Sequence, residues 1–354
     1  MPLSRLVRRA EAYPRLTATV FGCVVGRGIL CLSEFICALL IIHRSKDAFV
    51  VIEGAPAVSL VDDDPVSGAR LRPNASTRTR FLYNGEVVYD VTHNTDKFGR
   101  RPTRQSSKGK TDSCVLFLGG SCTFGVGVPV EQTLPSVFAG GVGDRVALNY
   151  GCPGQGPPFC LEQLRDIDSE ELPLPVKTCF YTFIDSHVDR AIGAMYVING
   201  SGANMPCYTT DKADNLIRLG TFASARPWLT SFYRLLGKSR TVQYLGFSLP
   251  LNIEDSHIHL TARIISELRD VYVERFANNN FFVVIYPGSE PADCLTEWLD
   301  RYDVRYLDHS GLFPLPSKSW QLAGVGHPNA QAYKKLGNKL AEFYLGEVQV
   351  ATKN

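Results

Sequence analysis

The sequence predicts an α/β fold: a three-layer sandwich around a mostly parallel five-stranded sheet, with an N-terminal helix and a small β arm in front of it. Three observations lead there. From residue 114 onward, short apolar, β-branched or aromatic runs alternate with segments of helical period. Strands separated by helices of that length run parallel and are covered on both faces. Ahead of this block stand one long apolar stretch and, after a Pro- and Asp-rich stretch, a hairpin signal.

The apolar stretch, residues 16–42, exceeds the ~20 residues needed to cross a bilayer. Arg5, Arg8, Arg9 and Arg15 precede it, while only Arg44 and Lys46 follow closely. That bias holds the short N-terminus inside and puts the rest of the chain on the extracytoplasmic side. Arg27 and Glu34 interrupt it, each costing roughly 2.5–3.5 kcal/mol at a helix centre. They are seven residues apart and share one face. We read residues 1–47 as a membrane anchor; the alternative is an amphipathic helix packed on the domain or lying at a membrane surface.

Residues 48–110 read as linker and β arm. Residues 52–73 are rich in Pro, Asp, Val and Gly, and suit a linker or extended arm. In FLYNGEVVYDV, residues 81–91, Asn84-Gly85 sits between apolar runs, a hairpin signal because both turn positions take positive φ. NTDKFGRR, residues 94–101, is expected to dock this hairpin on the main fold.

Residues 111–347 carry the predicted sheet. Strands are expected at 114–118 (CVLFL), 145–149, 176–183 (VKTCFYTF), 281–286 (FFVVIY) and 304–307. Helices are expected near 132–139, 158–167, 257–277, through Trp298, and at 329–344. In the long one, Leu260, Ile264, Leu268 and Val271 recur broadly at helical spacing. Residues 200–251 break the rhythm as a loop-rich, aromatic insertion carrying Tyr208, Phe222, Trp228, Phe232, Tyr233, Tyr244 and Phe247. It reads either as a cap over the strand ends or as an extension of the core.

Composition narrows the function. Hydrophobic residues make up 45% and charged residues 20%, enough apolar matter for a real core. The 37 basic and 35 acidic residues nearly cancel, and no basic stripe interleaved with aromatics points to nucleic acid. Ten cysteines form no CxxC pair and no zinc-ligand spacing, so no metal site is expected. A disulfide such as Cys152–Cys160 stays open for a domain outside the cytoplasm.

Two motifs carry chemistry. In LFLGGSCTFGVGV, residues 116–128, a hydrophobic strand runs straight into Gly119-Gly120-Ser121. Small residues let the chain turn sharply and expose the serine hydroxyl at the carboxyl end of the strand, where open α/β sheets place their sites. The serine's own N–H can face the same point as an oxyanion donor. In GVGHPNA, residues 324–330, His327 stands on a loop just before the closing helix, and can take a proton from a serine at a neighbouring strand end.

These two blocks, in this order and separation, resemble those of the SGNH (GDSL-like) hydrolases, over about residues 114–345 with 200–251 uncovered. The stretch DDPVSGARLRPNA…VVYDVTHNTDKFGRR is similar to the arms of membrane-anchored bacterial members. The resemblance implies a flavodoxin-like sheet, Ser121 as nucleophile, His327 as base and Gly154, in NYGCPGQG, as second oxyanion donor. The chain departs from the family in three respects. Gly120 stands where the family has Asp. In FIDSHVDR, Asp185 stands where the family has its oxyanion asparagine, and an ionised carboxylate repels an oxyanion. His187 or backbone N–H groups are then the donors. Val325 and Gly324 occupy the positions of the acid that orients the histidine. A Ser–His dyad, substitution by Asp308 at the end of the fifth strand, or a degenerate site are the readings left.

The function expected is a serine esterase or acylhydrolase cleaving a carboxylic ester of a lipid or acylated carbohydrate through an acyl-serine, with no metal or organic cofactor. The alternatives are an O-acyltransferase acting on a glycan hydroxyl and a binding module that has lost catalysis.

Overall fold

The computed structural model describes residues 13–44, 50–104, 112–143, 145–289, 293–313 and 317–348. Arg5, Arg8, Arg9 and Lys46, on which the expected orientation of the N-terminal helix rests, lie outside the described residues.

Helix α1 (Pro14–Arg44) contains the apolar segment Ala18–His43, long and apolar enough to cross a membrane. Most of its side chains face away from the rest of the chain. The arm follows. Strand β1 (Val50–Gly54) pairs antiparallel with β4 (Ser76–Tyr83), and between them two short strands, β2 (Val61–Asp62) and β3 (Arg70–Leu71), pair with each other. Strands β4 (Ser76–Tyr83) and β5 (Glu86–Asn94) form the expected hairpin, with Asn84 and Gly85 both at positive φ. The stretch read as linker or extended arm is therefore partly a third strand of that hairpin's sheet. Its strand character depends on β4, distant in sequence, and not on its own pattern.

Strand β6 (Cys114–Gly119) leads into the short helix α2 (Ser121–Phe124) and then α3 (Leu134–Val142). Strand β7 (Val146–Gly151), helix α4 (Pro157–Asp166), strand β8 (Val176–Phe183) and helix α5 (Ser186–Ile192) continue the alternation. Helix α6 (Met195–Asn199) leads into the insertion: the hairpin β9 (Pro206–Thr210) and β10 (Leu216–Thr221), then α7 (Phe222–Ala225), α8 (Pro227–Gly237) and α9 (Arg240–Leu245). The main fold resumes with α10 (Asp255–Phe276), β11 (Phe281–Ile285), α11 (Asp293–Arg301), β12 (Tyr306–Asp308) and α12 (Ala330–Phe343).

The five-stranded sheet has the order β12-β11-β8-β6-β7, all parallel. This is the flavodoxin-like arrangement, whose strand order reverses between β6 and β8. Alternation along β6 explains the three layers. Leu116 and Leu118 pack with Leu161 and Leu164 of α4 and with Ile264 and Leu268 of α10. Val115 and Phe117 point the other way, to Phe138 of α3 and Leu336 of α12. Successive side chains of a strand face opposite sides, so a continuous apolar run marks a sheet buried on both faces.

The insertion is more ordered than a loop-rich reading allows. Phe222 and Tyr233 join Met195, Ile198 and Met205 in a separate small core, while Tyr208 reaches the main one. All ten cysteines are free thiols, Cys152 and Cys160 included.

Candidate active site

Ser121 and His327, 206 positions apart in sequence, meet: Ser121 Oγ and His327 Nε2 are 2.8 Å apart. The serine opens α2 directly at the end of β6. Gly119 has φ +149, and a side chain there would strike the hydroxyls of Thr123 and Thr182. Only glycine takes this backbone without strain. As first residue of α2, Ser121 has an N–H with no acceptor inside that helix.

His327 arrives on a loop closed by its own carbonyl, which accepts from the Leu322 N–H at 2.7 Å. Asn329, two residues on, caps α12 by accepting from the N–H groups of Gln331 and Ala332 at 3.1 Å. Burial pushes His327 down to about 4, and the positive charge of Arg190 adds to the shift. The imidazole is therefore neutral at pH 7. Nδ1 has no hydrogen-bond partner among the described residues; the tautomer with its proton on Nδ1 is the one that leaves Nε2 free to accept from the serine hydroxyl.

Asp308 is accordingly not brought to the histidine. Its side chain is exposed and accepts from the Ser310 N–H at 2.8 Å. The physical reason is local: the carboxylate is taken up by the turn that follows β12.

Gly154 is the third residue of the turn Cys152–Gln155, closed by the Gln155 N–H donating to the Cys152 carbonyl at 3.2 Å. With proline second and φ +82 at Gly154, this is a type II turn, which leaves the N–H of its third residue unused. His187 is buried, and its Nδ1 lies 2.7 Å from the Tyr181 hydroxyl. Nε2 has no partner among the described residues. Burial, then Arg190, holds His187 well below the usual histidine range, while burial holds Tyr181 well above the tyrosine range. Both are neutral. The tautomer in which Tyr181 donates to Nδ1 leaves one unsatisfied donor, Nε2–H; the other leaves a hydroxyl proton and a lone pair. Asp185 is exposed.

Arg190 was not singled out from the sequence. It follows His187 by one helical turn of α5, and Nη1 donates to the Gln155 carbonyl at 2.7 Å. A Cβ on Gly120 would lie 2.9 Å from Arg190 Nη1, 2.9 Å from the Gln155 oxygen and 3.2 Å from His187 Nε2. The space of a side chain before the serine is thus already taken.

The arm supplies a second set of unforeseen residues. Arg101, 1% exposed, donates to the carbonyls of Phe124, Gly125 and Val128, and thereby fixes the end of α2 and the turn after it. His93, pushed down to about 3 by burial and then by Arg101, accepts the Gly127 N–H at 3.2 Å. Tyr89 and Leu322 both lie against Gly127, and Tyr83 lies against Gly324. The hairpin therefore touches the serine loop and the histidine loop together. The docking signal NTDKFGRR was legible, but not which arginine enters the core.

A cleft of about 230 Å³ opens beside the pair and reaches Cys122 and Pro328, their chain neighbours. Asp185, Tyr286, Ser289, Phe313, Trp320 and Gln321 line it.

No family model and no curated protein matches the sequence. Solved structures similar to this chain do exist. A member of the lipolytic G-D-S-L family from Veillonella parvula is 11% identical, with 66% of this chain and 99% of that one covered, at a TM-score of 0.36. An acetyl xylan esterase from Butyrivibrio proteoclasticus is 10% identical, covering 79% and 73%, at 0.40. A GDSL-like lipase, so described, from Bacteroides ovatus is 11% identical, covering 84% and 82%, at 0.38. At these values they bear on no residue of this chain, whose fold rests on its own strand order.

Proposed function

We propose that the chain is a serine esterase of the SGNH type, hydrolysing a carboxylic ester of a lipid or acylated carbohydrate through an acyl-serine. One observation carries this reading: the 2.8 Å contact between Ser121 Oγ and His327 Nε2 at the crevice where strand order reverses. Residues 111–347 form the catalytic unit, 48–110 its arm and 1–47 a membrane anchor, with the catalytic unit extracytoplasmic.

His327 Nε2 takes the Ser121 proton as Oγ attacks the ester carbonyl carbon. Negative charge moves to the carbonyl oxygen, where the N–H groups of Ser121 and Gly154 and the Nε2–H of His187 receive it. One such donor is worth about 3 kcal/mol. Arg190 adds positive charge beside them. The tetrahedral species collapses, the C–O bond to the alcohol breaks, and His327 returns its proton to the leaving oxygen. Water then repeats the sequence on the acyl-serine and releases the acid.

His327 works without a carboxylate. Nothing among the described residues accepts its Nδ1–H, and Arg190 further disfavours the imidazolium. Losing the triad acid costs about 10⁴ in kcat in a site not adapted to it. A dyad this weakly basic makes a slow hydrolase that keeps working at acid pH.

Labelling with a fluorophosphonate probe tests the proposal. The wild-type chain is expected to be labelled, Ser121→Ala not at all, and His327→Ala far more slowly. A folded wild-type protein that stays unlabelled, or a Ser121→Ala variant labelled equally well, overturns it.

A further inference from the structure

The insertion presents an apolar face that stays exposed among the described residues. On α8, Trp228, Leu229, Phe232 and Leu235 fall on one side, with Trp228 88% and Leu235 67% exposed. Leu245, the last residue of α9, and Leu251 after it are 69% and 70% exposed as well. The opposite side of α8 is spent on the fold: Thr230 and Tyr233 are buried, and the helix packs on α6. An exposed, contiguous apolar surface marks an interaction site in a folded protein.

What occupies that face follows from Glu34. This residue lies inside the apolar segment of α1, nine positions before its end at His43. Its carboxylate accepts from the Ser239 hydroxyl, from the Arg240 N–H at 2.7 Å and from the Thr241 N–H at 3.2 Å, capping α9. At 1.5 Å per residue this contact sits about 14 Å inside the end of the segment. The hydrocarbon layer is only about 30 Å thick. When α1 is embedded in a membrane, α9 meets it below the headgroups, and α8, which packs on α9, is brought to the membrane with it. Arg234, Lys238 and Arg240, all exposed, have stems long enough to carry their charges outward.

We propose that the insertion is itself a membrane element: its α8–α9 face sits in the phospholipid bilayer that holds α1, in addition to the anchor. The inference rests on the reading of α1 as a membrane helix and not on the esterase reading. It also fixes the catalytic unit relative to the membrane. The Arg226 guanidinium donates to the carbonyls of Ile192 and Gly193, tying the insertion to the end of the helix that bears His187 and Arg190.

The test uses the full chain reconstituted in vesicles of phosphatidylcholine and phosphatidylglycerol. Trp298→Phe and Trp320→Phe leave Trp228 as the sole tryptophan of three. Its emission is expected to fall about twofold or more when the acyl chains are brominated, and to resist aqueous iodide, as an interfacially buried indole does. In the otherwise unchanged chain, Trp228→Phe should remove most of the bromine-quenchable signal. Flotation with the vesicles while Trp228 stays open to iodide overturns this inference alone. Failure to float overturns the membrane reading of α1 with it. Shielding of Trp228 in detergent by a second copy of the chain, at the mass of a dimer, also overturns it.

Discussion

The acid limb of the pH–rate profile is the sharpest consequence of the site. The general base must be neutral, and burial with Arg190 brings His327 to about 4. At pH 5.5 about 97% of such a group is neutral, against about 9% of an imidazole titrating at its ordinary 6.5. Hydrolysis of a soluble short-chain ester, followed by chromatography of the released acid from pH 4.5 to 8, should therefore give kcat/KM at pH 5.5 within about a tenth of its plateau. Replacing Arg190 by Gln removes the positive charge, and the limb should move toward 6.5. A wild-type limb at 6.5 refutes the account of a buried, charge-depressed base. A limb that stays put in Arg190→Gln removes Arg190 from it. Stability carries the same signature. The folded-state value lies below the unfolded one, so the unfolded chain holds the extra proton between pH 4 and 6.5. Stability is complete above 6.5 and falls as pH drops toward 4, by up to about 3 kcal/mol for this group. His93 and His187, also held neutral by burial, act in the same sense.

Three further outcomes are expected. Arg101→Met strips three carbonyls of a charged donor in the interior, and should lower unfolding free energy in urea by about 3 kcal/mol, with activity falling alongside. Gly120→Asp, which restores the residue of the resembling family, should lower kcat/KM by about tenfold or more, because its Cβ meets the Gln155 oxygen and Arg190; an active, equally stable variant contradicts this packing. Asp308→Ala should leave kcat/KM within about twofold of wild type, its carboxylate being exposed and bonded to Ser310; a large loss at an unchanged melting temperature would restore it to the site.

What the sequence reveals depends on how local the cause is. The strands were legible because a run such as CVLFL is apolar on both sides of a pleat, and the hairpin because Asn84-Gly85 has one preferred turn. Ser121 and His327 could be paired because each sits where its own element forces it, at a strand end and before a helix cap. Helices α7 and α9, of four and six residues, are too short for periodicity to register, and Pro227 and Gly237 bound α8 with residues that in sequence read as loop. Strand β1 takes its form from β4, and nothing in VVIEG states that partner. Arg101 and Arg190 look like any surface arginine in sequence. Their roles come from carbonyls that only the tertiary fold brings within reach. Asp308 shows the converse: its place at a strand end is legible, yet its carboxylate is taken by the Ser310 N–H of its own turn.

The β4–β5 hairpin, lodged between the serine loop and the histidine loop, also sets a timetable. The chain is made from its N-terminus, so the hairpin and Ser121 emerge well before His327. At roughly 5–20 residues per second, about ten to forty-five seconds separate the completion of the arm from the appearance of the histidine. Through that interval the serine has no base and the hairpin has only one of its two loops to hold. Under the proposed mechanism the serine thus stays without its base until the loop that carries His327 has been made.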